Sequence, residues 1–445
     1  MPLRLESLPA PKSDPIWGHA TEFNQNQLRY LTGLAREYGD IVPLRLFLYR
    51  AAFFNRPDLV EEILVTKHRS FVKSVAFRRF AEVAGYGVIT SDGDLWRRQH
   101  RLVQPAFHRE RVESLGRTMV ERAERTRDSW RDGEAREVQA DMMRVTLEVV
   151  CETLFSADVS GEARLLGESF TEALSAVYYR MTGLQTMVPG WVPHPTRVRV
   201  WRSTRRLDQM VYRMIQEHQQ GGDRGDLLSM LLAARDESGR PMSDRQVRDE
   251  VMNIVVAGHE TTACALTWAW YLLAGHPEVE ARLHAELDAV LAGRLPTVAD
   301  LPRLVYTGEI VAEVLRLYPP LWIITREAIE DVEIGGCTVR KGTIAMFCQW
   351  TLHRDARYFE RPEQFEPERW ADGLAKRLPR FAYFPFGGGP RICLGNTFAL
   401  MEATLILATI ASRFRLRLVP GETVTPNGGI TLRAKPDMPM TLHRR

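Results

Sequence analysis

The 445-residue chain is poor in cysteine: there are five, at positions 151, 264, 337, 348 and 393, an odd number with no C-x-x-C pair. That excludes a disulfide framework and a zinc ribbon and points to a reducing cytoplasm. Neither sign of charge dominates. Lys and Arg total 59 against 56 Asp and Glu, a net of +3, which is too even for a dedicated nucleic-acid binder. The first twenty residues carry Arg4, Glu6, Lys12 and Asp14 among four prolines. They contain neither a signal-peptide core nor the roughly 18 apolar residues that a membrane span needs. Internal repeats, low-complexity tracts and long linkers are also missing. With 45% hydrophobic and 26% charged residues, these absences leave a globular protein, expected to be cytoplasmic, with no membrane span and no nucleic-acid partner.

What the sequence does contain is mostly helix. From about residue 95 to 290 helix-forming Arg, Glu, Ala, Leu and Met dominate. Gly221–Gly225 reads as a surface loop, and Ser243-Asp244 as the cap of a long helix over 247–274. Alternating Val42, Leu44, Leu46 and Leu48 predict a strand within 41–55, and the segment from Asp331 to Ala345 predicts a strand pair. Residues 396–414 return to helix and 415–445 to strand. The expected fold is mainly α in one unit over 1–445, with a small β portion drawn from both ends of the chain.

The strongest local signal is Phe386-Gly387-Gly388-Gly389-Pro390-Arg391-Ile392-Cys393-Leu394-Gly395, followed by a helical run from Asn396. A cysteine taken alone is usually a small buried hydrophobe. Here three glycines free the backbone to lie flat against a planar object. The cysteine sits just before a helix start, where free N–H groups and the dipole favour a thiolate. Arg391 adds a cation, and Gly395 leaves space at the first turn. A thiolate beside a flat ligand is what axial ligation of haem iron requires.

A second signal interrupts the long helix: Ala257-Gly258-His259-Glu260-Thr261-Thr262. Glycine inside a helix costs about 1 kcal/mol relative to alanine, and a glutamate among apolar neighbours costs desolvation unless paired or wet. Polar residues facing another helix would be the ordinary explanation. The functional one is a notch in which Ala257 and Gly258 make room for a ligand. Thr261 bonds back to a carbonyl one turn earlier, and Glu260 and Thr261 pass protons.

These two segments resemble the cytochrome P450 family, soluble bacterial type. The first meets all five fixed positions of F-x-x-G-x-R-x-C-x-G, and the second meets (A/G)-G-x-(D/E)-T-(T/S). The resemblance runs from about Pro9 to the C-terminus and implies the cytochrome P450 fold, a long central helix over haem. It also implies a haem-thiolate monooxygenase that hydroxylates or epoxidises an apolar small molecule with O2. Haem b (iron protoporphyrin IX) would have Cys393 as its metal ligand. Phe386 would pack on the proximal side of the haem, with Arg391 on a propionate and Gly395 beside it. The catalytic residues would be Glu260 and Thr261. Trp96 and His100 match W-x-x-x-R with His in place of Arg, so that charge depends on pH; Arg326 would be a further propionate contact. Glu313 and Arg316, three apart on one helix face, and Arg369 of Pro367-Glu368-Arg369-Trp370 match the family's Glu–Arg–Arg network, taken as structural.

By family position the substrate would meet Ile89, Ala257, Leu321 and Trp322. Phe77, Phe80, Val88, Phe170, Tyr178, Tyr179, Met181, Leu184 and Met187 lie in the flanking segments. Their content implies a moderate or large apolar substrate: a terpenoid or carotenoid, a fatty acid or a polyketide. Electrons would come from a separate ferredoxin or flavodoxin-type donor with its reductase, docking on Arg97, Arg98, Arg101, Lys376, Arg377 and Arg380. A haem gas sensor without turnover and a peroxygenase are the alternatives, and the intact Glu260-Thr261 pair argues against both.

Overall fold

The computed structural model describes residues 3–182, 195–235 and 239–445. The helices that position the site are α1 (Val75–Ala84), α2 (Gly93–Val103), α3 (Val138–Phe155), α4 (Ala163–Thr182), α5 (Pro195–Gly221), α6 (Asp244–Gly275), α7 (Val305–Leu317) and α8 (Asn396–Ala411). The long helix α6 starts where the sequence says it should: the Ser243 side chain accepts the Gln246 N–H at 3.3 Å, and Asp244 lies at the positive dipole end. At 1.5 Å per residue it runs about 48 Å. It is buried along most of its length against α3, α7 and α8, because it is apolar on nearly every face. Helix α7 stops at Leu317, ahead of Pro319-Pro320.

The main sheet joins β1 (Ile41–Leu46), β2 (Tyr49–Phe54), β3 (Phe71–Lys73), β5 (Ile324–Ala328) and β6 (Ile344–Phe347), with β4 assigned below. The spatial order is β1-β2-β6-β5-β3, antiparallel except for β2 on β6. Val42 and Leu44 are buried as their alternation predicts, whereas Leu48 sits 79% exposed at the hairpin turn. Thus the β portion does come from both ends of the chain.

One strand inside the helical region escapes the sequence reading. β4 (Ala135–Glu137) adds to β10 (Pro439–Arg444), which pairs with β7 (Phe414–Leu418). Three residues without alternation carry no periodic signal, and the partner lies some 300 residues away. A separate hairpin, β8 (Thr425–Gly428) with β9 (Leu432–Lys435), brings the C-terminal segment onto α6.

Candidate functional site

The cysteine loop is held open by backbone geometry. The Cys393 N–H donates to Phe386 O at 3.0 Å and Gly387 N–H to Phe384 O at 2.9 Å, closing the glycine run into a tight turn. Gly389 has φ +67°, and a Cβ there would fall 2.0 Å from Leu64 O, so no other residue fits. Phe386 packs half-buried on the main core. Cys393 is the one exposed cysteine among five free ones and stands three residues before the start of α8 at Asn396. Surrounding protein pushes its thiol up, and the Gly395 N–H alone counters. Arg391 does not serve the sulfur as the sequence suggested. Its guanidinium donates to Ser91 O (2.8 Å) and Asp92 Oδ1 (2.6 Å) and lies 3.9 Å from the Trp96 ring centroid. The protein by itself therefore favours the thiol, and a bound metal would be what takes the proton off.

A cation cradle lies beside this loop. Lys73 on β3 is the direct cross-strand partner of Arg326 on β5, although like charges placed opposite are destabilising. Lys73 is pushed well below its ordinary value by burial and then by Arg326 and Arg391. Burial and Arg391 lower Arg326 to about 10; burial alone lowers Arg391 to about 10. Asp92 is the acid that offsets the three cations. They line a cavity of about 470 Å³ with Trp96, Ile63, Leu64 and Phe71. Such a cluster calls for a guest with carboxylates and an apolar body, which is the chemistry of haem. Lys73 was missed in the sequence because its partner sits 253 positions away.

The His100 ring lies tilted against Trp96 with centroids 5.0 Å apart, and burial followed by Arg391 lowers its pKa. Within the protein alone it is thus neutral, not the cation that the family pattern suggested, and only a facing carboxylate would reverse this.

Substituting Lys73→Met should weaken haem binding roughly 10- to 100-fold, the worth of a charge-assisted hydrogen bond. The cofactor-free protein should lose no more than about 1 kcal/mol, since the Lys73–Ile89 O hydrogen bond goes together with a buried repulsion. Haem transfer to apomyoglobin and melting of the cofactor-free variant check the two effects.

Helix α6 shows a window. Its buried run is broken at Ala257, Gly258 and Thr261, which are partly accessible. Thr261 Oγ1 donates to Ala257 O at 2.7 Å. Gly258 has a different reason from room for a ligand: a Cβ there would meet Val150 of α3 at 2.7 Å, so the glycine lets two helices touch. Glu260 points to the C-terminal hairpin. Its Oε1 accepts from Arg433 Nε at 2.9 Å and from Thr431 Oγ1 at 2.5 Å, with Arg433 Nη2 in ion-pair range at 2.8 Å. Its buried Oε2 has no protein partner among the described residues.

The pocket expectations divide. Val88 and Ile89 are partly accessible. Trp322 is buried, its indole N–H donating to Gly429 O at 3.0 Å, and Leu321 is 41% exposed. Phe170 is fully buried against His259, with ring centroids 4.9 Å apart, and is core; Tyr179 is 62% exposed. The Met181 side chain, Leu184 and Met187 lie outside the described residues.

Behind the loop, Glu313 and Arg316 are fully buried and bonded at 2.7 and 2.9 Å. Arg369 Nε reaches Glu313 at 2.8 Å. Trp370, where the family has Phe, donates its indole N–H to Glu313 at 2.9 Å. Arg316 also binds His353 O, and His353 Nε2 accepts the Phe384 N–H at 3.0 Å, two residues before Phe386. The network thus braces the cysteine loop.

A family model described as Cytochrome P450 matches residues 8–439. The chain belongs to the cytochrome P450 family. It is similar to cyclooctatin synthase of Streptomyces melanosporofaciens, 39% identical over 96% of this chain and 94% of that one. It is 38% identical to cyclooctat-9-en-7-ol 5-monooxygenase of the same organism, over 93% and 90% of the two chains. It is 35% identical to pentalenene oxygenase of Streptomyces avermitilis, over 94% and 93%. This P450 is an oxidoreductase, a haem-thiolate monooxygenase that uses O2, an apolar substrate and electrons from redox partners. Among the described residues no helix is long and apolar enough to cross a membrane.

Proposed function

We propose that this P450 oxidises a cyclic terpenoid, acting as one unit over residues 1–445. The observation that carries the reading is the set of three relatives, matched over nine-tenths of the chain, whose names specify cyclooctatin, cyclooctat-9-en-7-ol and pentalenene. By family position the apolar, accessible Val88, Ile89, Ala257 and Leu321 would meet such a guest, which would be held by burial of area.

Cys393 would hold the haem iron, and Lys73, Trp96, His100, Arg326 and Arg391 its carboxylates. When bound, the haem supplies the O2 chemistry, placing one oxygen atom in the substrate and releasing the other as water. The chain's residues supply the rest. The Thr261 hydroxyl, anchored by donation to Ala257 O, keeps its oxygen lone pairs directed into the α6 window. Glu260 keeps Oε1 on Arg433 and Thr431 and leaves Oε2 as the atom that takes up and releases a proton.

The electron donor is a ferredoxin or flavodoxin with its reductase. Arg97 and Arg380 border the two depressions that contain the cysteine loop, and Arg101, Lys376 and Arg377 are exposed as well. A cytoplasmic setting accords with five free cysteines.

The test is turnover of a panel of cyclic sesquiterpenes and diterpenes, hydrocarbons and alcohols, with either donor system. Oxygenated product from at least one terpenoid, at a rate that falls steeply with added salt, is the expected result. Turnover of fatty acids alone would overturn the substrate class, and salt-independent rates the docking face.

A further inference from the structure

The turn between α1 and α2 is strapped down along its backbone by one face of α6. Tyr86 N–H donates to Asp249 Oδ2, Val88 N–H to Glu250 Oε2 and Ile89 N–H to Asn253 Oδ1, each at 3.0 Å. The same face returns donors to the end of α1: Asn253 Nδ2 to Ala84 O at 2.8 Å and Arg248 Nη2 to Val83 O at 2.9 Å. Gly85, at φ +71°, lies so close that a Cβ would fall 2.0 Å from Asp249 Oδ1.

The other side of the turn is tied to the cofactor cradle. Gln99 donates to Tyr86 O at 2.7 Å, Arg391 to Ser91 O at 2.8 Å and Lys73 to Ile89 O. Glu250 and Asn253 are fully buried. Lifting the turn would strand both, along with three N–H groups, at about 1–3 kcal/mol for each unsatisfied group. A loop so held is not free to open and close over a ligand.

We propose that Asp249, Glu250 and Asn253 are specificity-determining positioning residues: they fix residues 86–89 as a rigid wall, so that Val88 and Ile89 select how the substrate lies, instead of closing over it as a flap. The role in substrate selection rests on the monooxygenase reading, whereas the clamp stands on hydrogen bonds alone. Burial pushes Glu250 up to about 8, so at neutral pH the carboxyl keeps its proton. Oε2 accepts from Val88, and Oε1 has no partner among the described residues, so a proton on Oε1 leaves that bond intact. Glutamine therefore mimics the resident state.

The experiment is hydrogen exchange of the peptide spanning 85–92 in the haem-loaded protein, with α8 peptides as the folding control. Wild-type amides should be protected like core amides. Asn253→Ala and Glu250→Ala should speed exchange there roughly 5- to 100-fold, the worth of one buried hydrogen bond, and Glu250→Gln should restore protection. Affinities for 1-, 2- and 4-phenylimidazole, read from the visible spectrum, should differ among the isomers in the wild type and converge in Asn253→Ala.

Fast wild-type exchange in 85–92, unchanged exchange in both alanine variants, or isomer discrimination untouched by Asn253→Ala would overturn the proposal. Phenylimidazoles that give no spectral shift at all would instead overturn the haem-thiolate reading, and the exchange result would stand apart from that failure.

Discussion

Replacing Cys393 with serine is expected to leave a protein that still takes up haem but shows no red-shifted Soret band with carbon monoxide. Its turnover should fall by roughly a thousandfold or more, about 4 kcal/mol of barrier. The two halves of the outcome come from different parts of the site. Haem retention would depend on the guest's carboxylates meeting Lys73, Arg326 and Arg391, cations that otherwise repel one another, and on Trp96 and the apolar lining of the cavity. None of these touches the sulfur. The band and the rate depend on a thiolate that pushes electron density onto the iron. A serine hydroxyl at that place has no comparable tendency to ionise, being a far weaker acid than a thiol. Carbon monoxide difference spectra on matched amounts of bound haem check the first half, and terpenoid turnover checks the second. A variant that kept the band would show that the ligand is another residue and would overturn the site.

The parts of this site that were legible in the sequence are those packed into one stretch of chain. The cysteine loop, the α6 notch and the Glu313–Arg316 pair each announce themselves within ten residues, through turn glycines and helical spacing, even though several of their partners are remote. The parts that were not legible are made by strand register and helix crossing. Lys73 faces Arg326 because β3 pairs with β5. Glu260 meets Arg433 because a C-terminal hairpin lies on α6, and the 85–92 turn meets Asp249, Glu250 and Asn253 across about 160 positions. No local periodicity encodes such contacts. The same limit explains two misplacements: Phe170 and Tyr179 share one helix and one composition, and only tertiary packing sends one into the core and the other to the surface.

Arg433→Ala should be the most costly substitution outside the cysteine loop. Glu260 is 2% exposed, and Arg433 gives its Oε1 one hydrogen bond, from Nε at 2.9 Å, with Nη2 in ion-pair range at 2.8 Å. Removing one partner of a buried pair strands the other's charge, at about 3–5 kcal/mol. Thr431 Oγ1, the remaining donor, is neutral and cannot replace the cation. Stability to denaturant should therefore drop by that order. Product formed per electron pair consumed should drop with it, because Oε2 no longer sits where a fixed Oε1 put it. Thr261→Ala separates the two effects. Its hydroxyl donates only along its own helix, to Ala257 O, so stability should change by no more than about 1 kcal/mol while reductant is still consumed without product. Arg433→Lys should recover most of the stability and only part of the coupling, since a flexible ammonium cannot hold Oε1 as a fixed, planar guanidinium does. Denaturant melts beside the ratio of product to reductant consumed distinguish all three variants. An Arg433→Ala protein with wild-type melting and wild-type coupling would show that the hairpin does not set the acid.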